Sequence, residues 1–121
     1  MSPLSSESHF ISLQQAIEMT TLYRSQRENV LAPGLKGILL TCETFNRTAF
    51  DALLAEPDCV GIRIYFGMDK DLTVKLIVVG VNEKDEDILP SASSTAEDGK
   101  TISENGLPCP PVCPPSSPLN G

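Results

Sequence analysis

From Leu13, side chains that suit a buried face recur every three or four residues, at Leu13, Ala16, Ile17, Thr20 and Tyr23, the period of an α-helix rather than a strand. Ser12 followed three residues later by Gln15 is a capping box, which satisfies two of the free amides at a helix start. The spacing predicts a helix over residues 13–30, closed by Pro33-Gly34. The run Gly37-Ile-Leu-Leu-Thr-Cys42 lacks polar alternation and predicts a strand covered on both faces. A second helix starts at Asn46, a good cap, with Phe45 before it and Phe50 four positions after it placed as a hydrophobic staple. Its stripe of Ala49, Phe50, Leu53 and Leu54 is read as core, and Pro57 ends it near Glu56.

Residues 59–66 and 72–81 predict the two strands of an antiparallel hairpin turning around Gly67-Met-Asp-Lys-Asp71. In the register that keeps apolar partners together, Phe66 faces Leu72, Ile64 meets Val74, Ile62 meets Leu76 and Val60 meets Val78. A slip of one residue sets that row against Lys75 and Thr73. The opposite face then brings Tyr65 to Thr73, Arg63 to Lys75 and Gly61 to Ile77. The expected fold class is α+β, with two helices packed on a small mixed three-stranded sheet in the order helix-strand-helix-strand-strand. If the first two strands are parallel neighbours, the connection through the second helix is a right-handed crossover.

The pattern changes at Glu83. Residues 83–121 carry few large aliphatics, at Ile88, Leu89, Ile102, Leu107, Val112 and Leu119, and seven of the ten prolines, too little apolar surface to offset the entropy of ordering so long a stretch. The domain plan is therefore a flexible N-terminus (1–11), an α+β domain (12–82) and an acidic, proline-rich tail (83–121), mostly disordered. Charge follows the same division. Of the net charge of −7, residues 1–82 contribute nine acids against seven bases and the tail seven acids against Lys84 and Lys100. No basic face exists to displace counterions from phosphates, which argues against nucleic acid as a partner. No apolar run reaches the roughly 20 residues that span a bilayer, so no membrane role is expected. The first residues lack the basic and apolar regions of a secretory signal, and a cytoplasmic protein with reduced thiols is expected. Asn46-Arg47-Thr48 fits a glycosylation acceptor but is read as a helix start.

Candidate chemistry is sparse. Cys109-Pro-Pro-Val-Cys113 is a metal or redox candidate through Cys109 and Cys113. In polyproline II geometry these two Cα atoms lie roughly 12 Å apart, at about 3.1 Å per residue. A bridge requires less than about 7 Å, hence a turn or a cis proline bond. The spacing is also not the Cys-Xaa-Xaa-Cys of redox enzymes. A zinc site using all four cysteines conflicts with Cys42 and Cys59 at opposite ends of a parallel pair. Arg63 beside Lys75, two like charges opposed on one sheet face, calls for a negative group over them. Arg63, Tyr65 and Lys75 are accordingly a candidate anion or partner contact, with a partner's carboxylate or the acidic run 83–87 as the anion. The plainer reading is that both cations fan into solvent. Tyr23, Arg24 and Arg27 form a second basic edge suited to a helix C-terminus. His9, the single histidine, precedes the first helix and has no fixed partner for nucleophilic catalysis. Asp69 and Asp71 are read as turn residues rather than metal ligands. No catalytic set and no cofactor site is recognisable.

The run Cys59-Val-Gly-Ile-Arg-Ile-Tyr-Phe-Gly67, then Leu76-Ile-Val-Val-Gly-Val-Asn82 with Asp87-Ile88, then Cys109-Pro-Pro-Val-Cys113, resembles a group of small uncharacterised bacterial proteins with a similar order of motifs. The resemblance implies a bacterial source and tail cysteines that belong to the design, and it carries over no residue role. The function expected is a non-catalytic protein-interaction module, working through a protein partner or as a homodimer along the hairpin edge. The alternative is a thiol redox switch or metal-binding protein acting through Cys109 and Cys113, and an enzyme is the third choice.

Overall fold

The structure, a computed structural model, describes residues 9–89, 102–103 and 106–121. In chain order its elements are α1 (Leu13–Gln26), a 3₁₀ turn (Pro33–Leu35), β1 (Cys42–Thr44), α2 (Arg47–Leu54), β2 (Gly61–Met68), β3 (Val74–Val81), β4 (Asp87–Ile88), β5 (Ile102–Ser103) and β6 (Leu107–Cys109). Two helices with antiparallel sheet pairing make the class α+β, as the patterning predicts. The described residues divide into two units, one of residues 9–44, 68–75 and 107–121, the other of residues 45–67, 76–89, 102–103 and 106.

In the first unit, α1 opens on the predicted capping box: the Gln15 amide donates to the Ser12 hydroxyl at 3.0 Å, and the Ser12 amide to Gln15 Oε1 at 2.8 Å. The helix stops four residues before the expected end. After Arg27 N–H reaches Tyr23 O at 2.8 Å, the next bonds span three residues (Asn29 N–H to Gln26 O at 2.9 Å), a tighter turn that breaks the α ladder. Gly37, at φ +86°, supplies the left-handed conformation that a side chain would resist. The apolar run after it is not the expected strand. Ile38 O accepts from Val74 N–H at 2.9 Å, Thr41 N–H donates to Cys109 O at 2.8 Å, and regular pairing starts only at β1. There Cys42 faces Cys109, Glu43 faces Pro108 and Thr44 faces Leu107, antiparallel. The partner of β1 thus comes from the last fifteen residues, and the parallel crossover does not form.

In the second unit, α2 starts as predicted. Asn46 Oδ1 accepts the Ala49 amide at 2.9 Å, and the Phe45 and Phe50 rings meet edge-to-face with centroids 5.9 Å apart. Leu53 of α2 is fully buried, with Val78, Val79 and Val81 of β3 at 1–2% exposure. Adjacent valines buried on both faces mark β3 as the central strand: β2 flanks it on one side and β4 on the other, while β5 also pairs with it. Gly80 faces Ile88 and Val81 faces Asp87 in β4; Val78 faces Ser103 and Val79 faces Ile102 in β5. Segment 83–121 therefore supplies three strands where an unordered tail is expected. The flexibility expected of residues 1–8, 90–101 and 104–105 lies outside the described residues.

The hairpin register is also corrected. Val60 N–H donates to Val81 O at 2.8 Å, and Asp69 N–H to Thr73 O at 3.2 Å, so Val60 is displaced by three residues from its expected partner Val78. The turn is the cause. Leu72, expected in the ladder, sits at φ +69° with its amide on Asp69 O at 3.0 Å. The carboxylates of Asp69 and Asp71 accept the Thr73 amide at 3.1 and 3.3 Å. The pairing that sets Arg63 across from Lys75 is consequently not the one formed.

Candidate functional site

Arg63 and Tyr65 lie two apart on β2 and so share a face. The chain turns back after β3 through Asn82, whose Oδ1 accepts the Lys84 and Glu86 amides at 2.9 and 3.0 Å, and places Asp85 at φ +64°. This delivers two carboxylates to that face. Arg63 Nη1 donates to Asp87 Oδ1 at 2.5 Å, Nη2 to Asp85, and the Tyr65 hydroxyl donates to Asp87 Oδ2. The bond from Tyr65 holds the Asp87 carboxyl below the usual carboxylate range, with Arg63 acting in the same direction against partial desolvation. That bond also raises the Tyr65 phenol, and the separate bond from Arg63 to Asp87 raises Arg63. The anion at Arg63 and Tyr65 is thus the protein's own acidic run. Lys75, the third residue of that candidate site, forms no ion pair among the described residues.

The late cysteines are bonded, where reduced thiols are expected. Cys109 and Cys113 form a disulfide with Cα atoms 4.5 Å apart, and the Cys109-Pro110 and Pro110-Pro111 peptides are cis. The compact turn, closed by Val112 N–H on Pro108 O at 2.8 Å, replaces extended polyproline geometry. Cys109 is buried at 5% exposure and Cys113 is exposed. Across the two-stranded sheet, Cys42 is the register partner of Cys109 and is a free, half-buried thiol; the sequence spacing of 67 residues gives no hint of this. Cys59, the other free thiol, donates to Gly61 O at 3.3 Å and lies under Gly80. No group of three or more histidine, cysteine or acidic side chains suited to a metal ion occurs among the described residues.

Apolar surface is the third feature. On β2, Ile64 and Phe66 lie two apart and so share a face, and they are 49% and 81% exposed. Among the described residues, β2 pairs only with β3, and its other edge meets no described strand. On α1, Met19 and Leu22 are exposed and border a shallow apolar groove of about 330 Å³ with Tyr23, Val30 and Leu39. The basic edge beside it is structural: Tyr23 donates to Leu40 O, Arg27 to the Thr41 hydroxyl at 2.7 Å and Arg24 to Leu119 O. His9 is exposed. A hollow of about 370 Å³ in the other unit is lined by Asp58, Val60, Asn82, Glu83, Lys84 and Glu86. No helix among the described residues is long and apolar enough to cross a membrane. Comparison with known proteins finds no matching family model, curated protein or solved structure.

Proposed function

We propose that the chain is a non-catalytic protein-interaction module of the bacterial cytoplasm, which receives an extended strand of a partner protein, or of a second copy, along the edge of β2 that no described strand covers. The observation that supports this reading is the β2 edge itself. Strand addition supplies main-chain hydrogen bonds to an exposed sheet edge, and alternate side chains supply specificity. Here the alternate side chains are Ile64 and Phe66, 49% and 81% exposed. Burying an exposed phenylalanine contributes about 1.5–3 kcal/mol. Light scattering of the wild-type chain, with affinity capture of partners, should give a dimer mass or a stoichiometric bound protein. The Ile64→Lys, Phe66→Lys variant keeps its fold, because both sites are exposed, and should bind at least about tenfold more weakly. A wild-type chain that is strictly monomeric and captures nothing, or a variant that associates as well as wild type, overturns the reading.

The disulfide favours a second reading, a thiol redox switch at Cys109 and Cys113. It disfavours the metal-binding form of that alternative, since a metal needs thiolates and neither bridged sulfur is one.

A further inference from the structure

Three sulfurs converge on the two-stranded sheet of the unit that holds α1. Residues directly opposed in an antiparallel pair carry Cβ atoms roughly 4.5–5.5 Å apart on the same face, and Cys42 opposes Cys109 in this way. A free thiol is therefore held beside a disulfide on a backbone ladder rather than meeting it by chance. The two sulfurs of the bridge differ in access: Cys109 is buried at 5% exposure, shielded from bulky outside thiols, whereas Cys113 is exposed. The group placed to reach Cys109 is Cys42, and the group placed to leave is Cys113.

We propose that Cys42, Cys109 and Cys113 form a thiol–disulfide exchange site, in which Cys42 displaces Cys113 from Cys109 and presents Cys113 as a surface thiol to an outside disulfide. In the first step the Cys42 thiol gives its proton to water, and its thiolate attacks Cys109 Sγ. A Cys42–Cys109 bond forms, the Cys109–Cys113 bond breaks and Cys113 leaves as the thiolate. No electron is gained or lost by the protein. In the second step the Cys113 thiolate attacks a disulfide R–S–S–R′, forming Cys113–S–R and releasing R′–S⁻. The exchange also moves the bridge from a local loop, 109–113, to a link between β1 and β6. This inference rests on the thiol-switch reading to the extent that it requires the Cys109–Cys113 bridge.

The experiment uses the oxidised full-length chain, held near the ordinary thiol pKa of about 8.5, quenched in acid, then alkylated in denaturant and mapped by mass spectrometry without reduction. The wild type should yield a Cys42–Cys109 linked peptide with alkylated Cys113. Oxidised glutathione present during the incubation should add to Cys113, and Cys42→Ser should lower that addition at least about tenfold. The Cys113→Ser variant loses the local bridge, so its circular dichroism and Tm are compared with those of the reduced wild type, and on mild oxidation it should bridge Cys42 to Cys109. An intact Cys109–Cys113 bridge with Cys42 always alkylated, or Cys42 and Cys109 both left free in oxidised Cys113→Ser, overturns the exchange site while leaving the switch reading standing. Failure of Cys109 and Cys113 to bridge on oxidation removes both.

Discussion

Gly80 shows how much one hydrogen atom decides at the centre of this sheet. A Cβ built on it lies 2.9 Å from Cys59 Sγ, 3.5 Å from Leu53 O and 3.6 Å from Ile88 Cδ1. The first contact is shorter than real Cβ atoms show, and the second is backbone of α2. Cys59 is short and its Sγ is engaged with Gly61 O, so it has little freedom to yield. Gly80→Ala should destabilise by about 1–3 kcal/mol, the usual cost of overpacking. Removing the obstructing sulfur should restore part of this, so Gly80→Ala in a Cys59→Ala background should cost clearly less than in wild type. Urea denaturation of the four chains of this cycle checks it; equal costs in both backgrounds would show that the clash is not with Cys59.

At the scale of elements, local signals read well and distant pairing did not. Both helix starts were legible because a cap is complete within about four residues: Ser12 with Gln15, and Asn46 with Phe45 and Phe50. The hairpin was legible as two strands, but its register depended on Leu72 taking a left-handed turn position that apolar patterning cannot signal. β4, β5 and β6 contribute only two or three residues each, too short for any period to show, and β6 contains Pro108, which ordinarily argues against a strand. Of the candidate sites, the anion contact is read from Arg63 opposed to Lys75, a pairing that does not form, so the bonds of Arg63 and Tyr65 to Asp85 and Asp87 are not legible by that route; Cys42 opposite Cys109 is not legible either, since nothing local connects them. The Arg63 cluster also ties β2 to β4, the two strands that flank β3, and this tie is pH-dependent. The folded Asp87 pKa lies below its unfolded value of about 3.9, so its stabilisation is present above about pH 4 and is lost as pH falls through the folded value. Asp71, lowered by its bonds with Asp69 and Thr73, acts with the same sign. For Tyr65, raised in the fold, the stabilisation is present below about pH 10 and is lost as pH rises through the folded value. Asp87→Asn should therefore flatten the fall of Tm below pH 4 and bring the Tyr65 titration, followed by phenolate absorbance, down towards pH 10. An unchanged Tyr65 titration would break the assignment.

For the whole chain, the change of composition at Glu83 invites division into a folding part and a dispensable one, yet the strand pairings cross it. The core valines of β3 owe main-chain partners to residues beyond the change: Val81 to Asp87, Val79 to Ile102 and Val78 to Ser103. β1 owes its partner to residues 107–109. Removing residues 83–121 thus leaves Val78, Val79 and Val81, now at 1–2% exposure, beside an open edge whose amides and carbonyls must find water. It also strips Arg63 of both carboxylates and β1 of its ladder. Each loss alone is of the order of 1 kcal/mol per hydrogen bond, against a total stability of about 5–15 kcal/mol for a small protein, and several occur together. Residues 1–82 alone should show no cooperative thermal transition and little amide protection at Val78 and Val79, whereas the full chain should show both. A truncated chain that melts at the full-length temperature would mean that the acidic, proline-rich third of the protein contributes charge and reach but no structure.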